Sequence, residues 1–198
     1  MKASILKKSL ISMIDSKIPV FVWGNPGVGK SSIIKQIAND KNMEFIDLRL
    51  SLLDPTDLRG IPFFDSSNKS AIWAKPEFLP NSNSQAFGIL FLDEINSAPP
   101  TVQAAAYQLI LDRKIGEYTL PINYAIVAAG NYESDRGVTY RMPTPLANRF
   151  VHLDFELDFE EWKSWAYESK IDTRIISFLS YKPQNLFTFD AKAKEKSF

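Results

Sequence analysis

The stretch Val20-Phe21-Val22-Trp23-Gly24-Asn25-Pro26-Gly27-Val28-Gly29-Lys30-Ser31-Ser32 decides the fold of this 198-residue chain. Its first four residues are apolar and lead directly into the pattern G-x-x-x-x-G-K-S, which an apolar-periodic helix follows. Glycines have no Cβ, so the backbone N–H groups can turn toward a polyphosphate, and the helix N-terminus adds partial positive charge. The stretch therefore predicts a buried strand followed by a phosphate-binding loop.

Within this loop, each residue type has an expected task. Lys30 would reach the β- and γ-phosphates of a nucleotide, and the hydroxyl of Ser31 would ligate Mg²⁺. The alternative is a Gly/Pro turn that matches the motif by chance. At typical residue frequencies such a match occurs in roughly one in a hundred chains of this length. The residues expected to bind the nucleotide are Gly24, Asn25, Pro26, Gly27, Val28, Gly29, Lys30, Ser31 and Ser32.

Composition limits the class of protein. The chain is 45% hydrophobic and 23% charged, which is ordinary for a soluble globular protein, and its 198 residues can hold one α/β domain with at most a small appendage. Lys+Arg 23 balances Asp+Glu 23, so no global basic field indicates nucleic acid or an anionic membrane. Without cysteine there are no disulfides or thiolate metal sites. No apolar run reaches the ~20 residues of a membrane-spanning helix, and a cytoplasmic location is expected.

A second motif follows at residues 88–94, where an apolar run ends in Asp93 and Glu94. Such a run is typical of a central parallel strand whose carboxyl end meets a ligand. In nucleoside triphosphatases of this class the first carboxylate orders Mg²⁺, and the second is free to polarise an attacking water. The alternative is a strand that ends in an ordinary acidic turn. With the phosphate loop present, we expect Asp93 to ligate the metal and Glu94 to be catalytic.

A polar amide ends another apolar run. Residues 122–129 predict a central strand that finishes at Gly130 and Asn131. At the tip of a strand beside the one ending in Asp93, Asn131 would hydrogen-bond the attacking water or the γ-phosphate. The alternative, a simple Asn turn residue, is less favoured because the rest of the pattern is present.

The remaining elements alternate between helix and strand, which predicts a parallel sheet covered on both faces, a three-layer α/β fold. Asp158 is expected to cap a helix with Glu161, and Trp162, Trp165 and Ala166 are expected in the core of a lid. The other predicted elements are a helix at 3–16, strands at 43–50, 115–120 and 151–155, a hairpin insertion around 63–74, a helical turn at 76–80, and helices from 99 and at 143–147.

These motifs, in this order, resemble a known family. The loop at 24–31, Asp93-Glu94, the segment 128–131 and Asn148-Arg149-Phe150 look like Walker A, Walker B, sensor 1 and arginine finger. This is the pattern of the AAA+ ATPase superfamily. The segment Asp57-Leu58-Arg59-Gly60 with its hairpin insertion, and residues 146–150, are most similar to its MoxR branch, of the dynein-related type.

The resemblance implies a P-loop nucleotide-binding domain at 1–155, a partial helical lid at 156–198, and a ring, usually hexameric, with ATP held between subunits. Arg149 would act in trans on the γ-phosphate of the neighbouring subunit. Arg141 is its rival, and a surface or ion-pair arginine is the alternative for either. We find no convincing sensor 2 arginine in the 44 residues after Asp154, so a truncated piece or a minimal form is expected.

The function implied is a MoxR-like ATPase that hydrolyses ATP, an acid anhydride, with Mg²⁺ to remodel or chaperone a partner protein. In this branch the partner often carries a von Willebrand A domain. The alternative is an AAA+ protein that acts on nucleic acid as a helicase or loader, which the zero net charge disfavours. A small-molecule kinase fits poorly, because Glu94 beside Asp93 suits activation of water.

Overall fold

The chain folds around a parallel sheet, and the computed structural model describes residues 1–67, 69–132 and 140–188. The helices are α1 (Ala3–Asp15), α2 (Lys30–Asp40), α3 (Pro55–Arg59), α4 (Pro100–Asp112), α5 (Thr144–Ala147), α6 (Phe159–Glu168) and α7 (Thr173–Tyr181). The strands are β1 (Val20–Trp23), β2 (Glu44–Arg49), β3 (Ile61–Asp65), β4 (Ser70–Ala74), β5 (Gly88–Asp93), β6 (Lys114–Ile115), β7 (Tyr118–Thr119), β8 (Tyr124–Gly130) and β9 (Val151–Asp154). Short 3₁₀ turns occupy Leu50–Leu52, Ile95–Ser97 and Pro183–Leu186.

Five strands form the main sheet in the order β2-β5-β8-β1-β9, and every neighbouring pair is parallel. Because parallel strands share a direction, the carboxyl ends of all five lie at one edge of the sheet. The register places Trp23 beside Gly130 and Arg49 beside Asp93. The phosphate loop, Asp93-Glu94 and Asn131 therefore follow neighbouring strands at the same edge.

Helices cover both faces of this sheet, and each face has its own buried cluster. Leu6, Leu10 and Ile14 of α1 pack with residues of α2 against one face. Val102, Ala105 and Leu109 of α4 pack against the other. Burial on both faces explains why β5 and β8 are almost continuously apolar. The predicted three-layer α/β fold is confirmed.

Some local predictions are wrong. Residues 115–120 form not one strand but the two short strands β6 and β7, because Gly116 takes a φ of +56° and reverses the chain. The segment 76–80 is a hydrogen-bonded turn rather than a helical one. Strand β8 begins at Tyr124, after Ile122, which is 76% exposed.

The helix pair α6 and α7 follows the sheet. Asp158 accepts a hydrogen bond from the Glu161 backbone N–H at 3.0 Å, as predicted. The Glu161 carboxylate does not complete a capping box; it accepts hydrogen bonds from the backbone N–H and hydroxyl of Ser4, at 2.9 and 2.6 Å. Ala166 is buried, but Trp165 is 41% exposed, so its expected place in a lid core is wrong. The predicted domain boundary at 155 stays a prediction, and the terminal run 190–198 lies outside the described residues.

In the part of the chain that the structure describes, no helix combines the length and the apolar character that crossing a membrane requires.

Candidate nucleotide site

The phosphate loop connects β1 to α2. Gly27 and Gly29 have φ angles of +78° and +96°, a region that residues with a Cβ rarely adopt. At Gly24, a Cβ would lie 3.2 Å from the carbonyl oxygen of Phe155 and 3.2 Å from Cγ2 of Val28. The backbone conformation therefore favours glycine at positions 27 and 29, and a side chain at position 24 would be tightly packed against Phe155 and Val28. Lys30 is the first residue of α2, so the loop ends at a helix N-terminus.

The Lys30 ammonium lies at the centre of this loop. Its Nζ donates hydrogen bonds to the carbonyl oxygens of Gly24 and Asn25, at 2.6 and 3.0 Å, and to Oδ1 of Asn131, at 2.8 Å. The side chain is only 9% exposed. The structure therefore brings together two residues, 101 positions apart in the sequence, that were predicted to face the same phosphate group.

The other loop residues surround this ammonium. Val28 is buried in the cluster that contains α1 and α2, which anchors the loop to the core. Asn25 and Pro26 are partly buried, and Gly27 is exposed. Ser31 is partly buried and Ser32 is exposed, in the first turn of α2.

Asp93 ends β5 at the same edge. Burial raises the pKa of its carboxyl group, the hydrogen bond from the Glu94 backbone N–H opposes this, and the charges of Glu94 and Asp47 add to it. The positive charge of Lys30 has the smallest effect on the Asp93 pKa and lowers it. The Asp93 carboxylate and the Ser31 hydroxyl are hard oxygen donors, the type that Mg²⁺ prefers. The donor set fits Mg²⁺.

Glu94 has an unusual backbone, with a φ of +55°. Its carboxylate accepts a hydrogen bond from the Ser51 hydroxyl, and Nε of Arg49 lies 3.6 Å from its Oε1. Arg49 is the last residue of β2, the strand next to β5, and Ser51 lies in the 3₁₀ turn that follows β2. The sequence analysis missed Arg49 and Ser51. The available signal was that one lies at the end of the strand predicted at 43–50 and the other directly after it.

Arg149 is not brought to these residues. It lies just before β9, whose Val151 pairs with Val20 at the start of β1, so it is at the amino edge of the sheet. The four residues of β9 span roughly 13 Å at ~3.3 Å per residue, and this length separates Arg149 from the edge with the phosphate loop. Arg149 is exposed and forms no side-chain hydrogen bond or ion pair within the described residues. Arg141 is also exposed, but it follows Tyr140, which is bonded to Asn96 at the carboxyl edge.

Residues 19–152, about two thirds of the chain, match the profile described as the ATPase family associated with various cellular activities (AAA). The chain belongs to the AAA family. For this AAA protein the similar sequences include Chaperone MoxR1 of Mycobacterium tuberculosis, 25% identical over 152 residues. Replication factor C large subunit of Ignicoccus hospitalis is 30% identical over 107 residues. The predicted MoxR-like AAA+ resemblance is confirmed.

Solved structures show the same fold. A Cytophaga hutchinsonii protein assigned as an ATPase superposes with a TM-score of 0.60 at 22% identity, covering 85% of this chain and 51% of that one. NtrX from Brucella abortus, in complex with ADP, superposes with a TM-score of 0.53 at 16% identity, covering 86% and 42%. Among the sequence relatives, the AAA chain covers 38% of the length of MoxR1 and 20% of the replication factor C subunit, with 74% and 54% of its own residues. The AAA chain thus spans about half the length of these proteins or less.

Proposed function

We propose that this AAA protein binds ATP with Mg²⁺ at the carboxyl edge of its sheet and hydrolyses it to remodel or chaperone a partner protein. The observation that carries the proposal is the hydrogen bond between Lys30 Nζ and Asn131 Oδ1. It joins the phosphate loop after β1 to the tip of β8, and β8 lies directly beside the strand that ends in Asp93. Three separate motifs therefore support one triphosphate site.

Each side chain would act by a simple physical effect. The loop N–H groups and Lys30 bind the phosphates, and Ser31 and Asp93 would hold Mg²⁺, which when bound neutralises charge on the phosphate oxygens. Glu94 takes a proton from the attacking water, and Asn131 orients that water by its amide. Because Ser51 and Arg49 hold the Glu94 carboxylate, its orientation toward the water depends on the end of β2.

We infer that the ATPase works as a ring, expected to be a hexamer. Arg149 is exposed at the edge opposite the phosphate loop, where it is available to a neighbouring subunit rather than to its own. The client would be a protein, in keeping with the name of the chaperone relative, and proteins with a von Willebrand A domain are the first class to test. The alternative action on nucleic acid is not favoured, since positive and negative residues are equal in number.

Two variants test the site. Lys30→Ala should abolish binding of a fluorescent ATP analogue, because it removes the buried ammonium. Glu94→Gln should retain that binding and lose phosphate release, because the amide cannot accept a proton. Lys35→Ala, an exposed lysine on the same helix, is the matched control and should behave as the unchanged protein. Wild-type turnover in Glu94→Gln would remove Glu94 as the base, and tight ATP binding by Lys30→Ala would refute the site.

A further inference from the structure

Asn96 is a buried polar residue to which the sequence analysis gave no role. It lies two positions after Glu94, in the turn Ile95–Ser97, and is only 2% exposed. Its side-chain Nδ2 donates to the carbonyl oxygen of Asn131 at 2.7 Å. In return, the backbone N–H of Asn131 donates to Oδ1 of Asn96 at 3.3 Å. One side-chain amide thus satisfies both backbone groups of Asn131.

The turn Ile95–Ser97 packs closely against the end of β8, which leads directly into Asn131. A Cβ built on Gly130 would lie 2.3 Å from Oδ1 of Asn96 and 2.7 Å from Cζ of Phe21. Because real Cβ atoms do not approach so closely, the Asn96 amide occupies the space that a side chain at residue 130 would need. The backbone that carries Asn131 is therefore held against Asn96 by contact as well as by hydrogen bonds.

This contact continues to the phosphate loop. Asn131 accepts from Lys30 through its side chain while its backbone is bonded by Asn96. The bonds connect the segment after β5 to the tip of β8 and then to the start of α2. Asn96 also accepts, through its own carbonyl oxygen, a hydrogen bond from the backbone N–H of Tyr140 at 2.6 Å. Two chain positions, Asn131 and Tyr140, are thereby hydrogen-bonded to a residue that lies two positions after Glu94.

Gln103 is a second buried side-chain amide, and its hydrogen bond provides a comparison for Asn96. It is also 2% exposed, and its Nε2 donates to the carbonyl oxygen of Ala98 at 3.0 Å, five residues earlier. That bond stabilises the start of α4 and involves none of the candidate site residues. Asn96 differs because its partner is the backbone of Asn131, so removing its amide would release the residue expected to orient the water.

We propose that Asn96 is a positioning residue that sets the orientation of Asn131 relative to Lys30 and Glu94. The proposal rests on the proposed ATP hydrolysis, and it deepens that function by adding a residue that acts through Asn131. A positioning residue of this kind should affect turnover more than nucleotide binding, since the phosphate loop itself remains intact.

A double-mutant cycle separates positioning from general stability. Asn96→Ala should lower kcat by roughly tenfold or more and change the dissociation constant of a fluorescent ATP analogue by less than roughly threefold. In the Asn131→Ala background the same change should lower kcat less than about twofold, because the side chain that it positions is already absent. Equal losses of kcat in both backgrounds would overturn the proposal.

Nuclear magnetic resonance on the nucleotide-free protein gives a readout that does not depend on turnover. The backbone and side-chain amide signals of Asn131 should shift in Asn96→Ala and stay in place in Gln103→Ala, the matched control. If Asn96→Ala does not fold, Asn96→Ser serves for both measurements, since its hydroxyl is too short to make both bonds. Unchanged Asn131 signals in a folded Asn96 variant would also overturn the proposal.

The controls separate this inference from the proposed function. If the unchanged protein releases no more phosphate than Lys30→Ala, the proposed ATP hydrolysis fails, and the inference that rests on it is overturned with it. If the unchanged protein hydrolyses ATP and Asn96→Ala matches its kcat, only the role of Asn96 is overturned.

Discussion

At the scale of single residues, the candidate site depends on the absence of a side chain at Gly130. We expect Gly130→Ala to destabilise the protein by about 1–3 kcal/mol, the usual cost of overfilling a packed interior. The added methyl group would meet Oδ1 of Asn96 and the ring of Phe21, and relief of that clash would displace Asn131. Denaturant unfolding measures the loss in the free energy of unfolding. Phosphate release from the folded variant measures how far the displacement of Asn131 lowers turnover.

Gly88 provides a matched control on the neighbouring strand. A Cβ there would lie 2.2 Å from Cε1 of Tyr124, an equally close contact, but at the amino edge of the sheet. Gly88→Ala should therefore cost similar stability and leave kcat intact at temperatures where it is folded. If both alanine variants lose kcat to the same extent, the loss reflects the fold and not the site.

The sequence could predict site residues that belong to a local motif, but not those whose contacts depend on the order of the strands. Lys30 and Asp93 belong to local patterns, a glycine loop and an apolar run ending in a carboxylate, so their placement follows from neighbouring residues. Asn96 and Ser51 have no such pattern, because their importance depends on which strands lie side by side. The order β2-β5-β8-β1-β9 creates their contacts, and apolar periodicity does not specify that order.

At the scale of elements, periodicity predicted the central strands well because they are buried on both faces. It failed for Trp165, which is aromatic and at helical spacing but 41% exposed, since the pattern alone does not say what covers a helix face. The hairpin β3–β4 was predicted from its turn residues, yet Phe63 and Phe64 in it are 59% and 72% exposed. The apolar residues therefore predicted the helix that contains Trp165 and the hairpin β3–β4, but not which of their side chains are buried.

The attachment of α6 to α1 yields a pH prediction at this scale. The hydrogen bonds from Ser4 lower the pKa of the Glu161 carboxyl, and the Lys2 ammonium lowers the pKa of the Asp158 carboxyl. A carboxyl whose pKa is lower in the folded state stabilises that state above its unfolded pKa, near 4. The contribution is lost as the pH falls through the lowered folded value, so α6 should loosen as the solution is acidified from about pH 5 downward.

Hydrogen exchange of the α6 amides, corrected for the intrinsic effect of pH, measures this loosening. The amides of α2 provide the internal reference, because that helix contacts neither carboxylate. Glu161→Gln should weaken the attachment at neutral pH and reduce its pH dependence. If the protection of the α6 amides is identical in the unchanged protein and in Glu161→Gln over this pH range, Glu161 does not hold α6 to α1.

At the scale of the whole molecule, the candidate site residues lie at two opposite edges of the sheet. Asp93 ends β5, and Lys30 and Asn131 come after the carboxyl ends of β1 and β8, while Arg149 precedes β9 at the opposite edge. A parallel strand between them makes contact within one subunit geometrically unfavourable, and it leaves Arg149 exposed for a neighbour. The proposed ring would place the two edges of successive subunits together, since head-to-tail contacts generate a ring when the rotation closes.

This geometry predicts complementation between two inactive proteins. By the proposed roles, Lys30→Ala should lose ATP binding but keep Arg149, and Arg149→Ala should keep ATP binding but lack the arginine. Each protein alone should have little ATPase activity, whereas an equimolar mixture should regain a measurable fraction, because some interfaces combine an intact loop with an intact arginine. Such an arginine contributes ~10³–10⁵ in rate, so even a minority of complete interfaces is detectable.

Arg141→Ala mixed with Lys30→Ala is the parallel experiment for the rival residue. If Arg149→Ala alone keeps the turnover of the unchanged protein at every concentration, Arg149 is not the residue that acts between subunits.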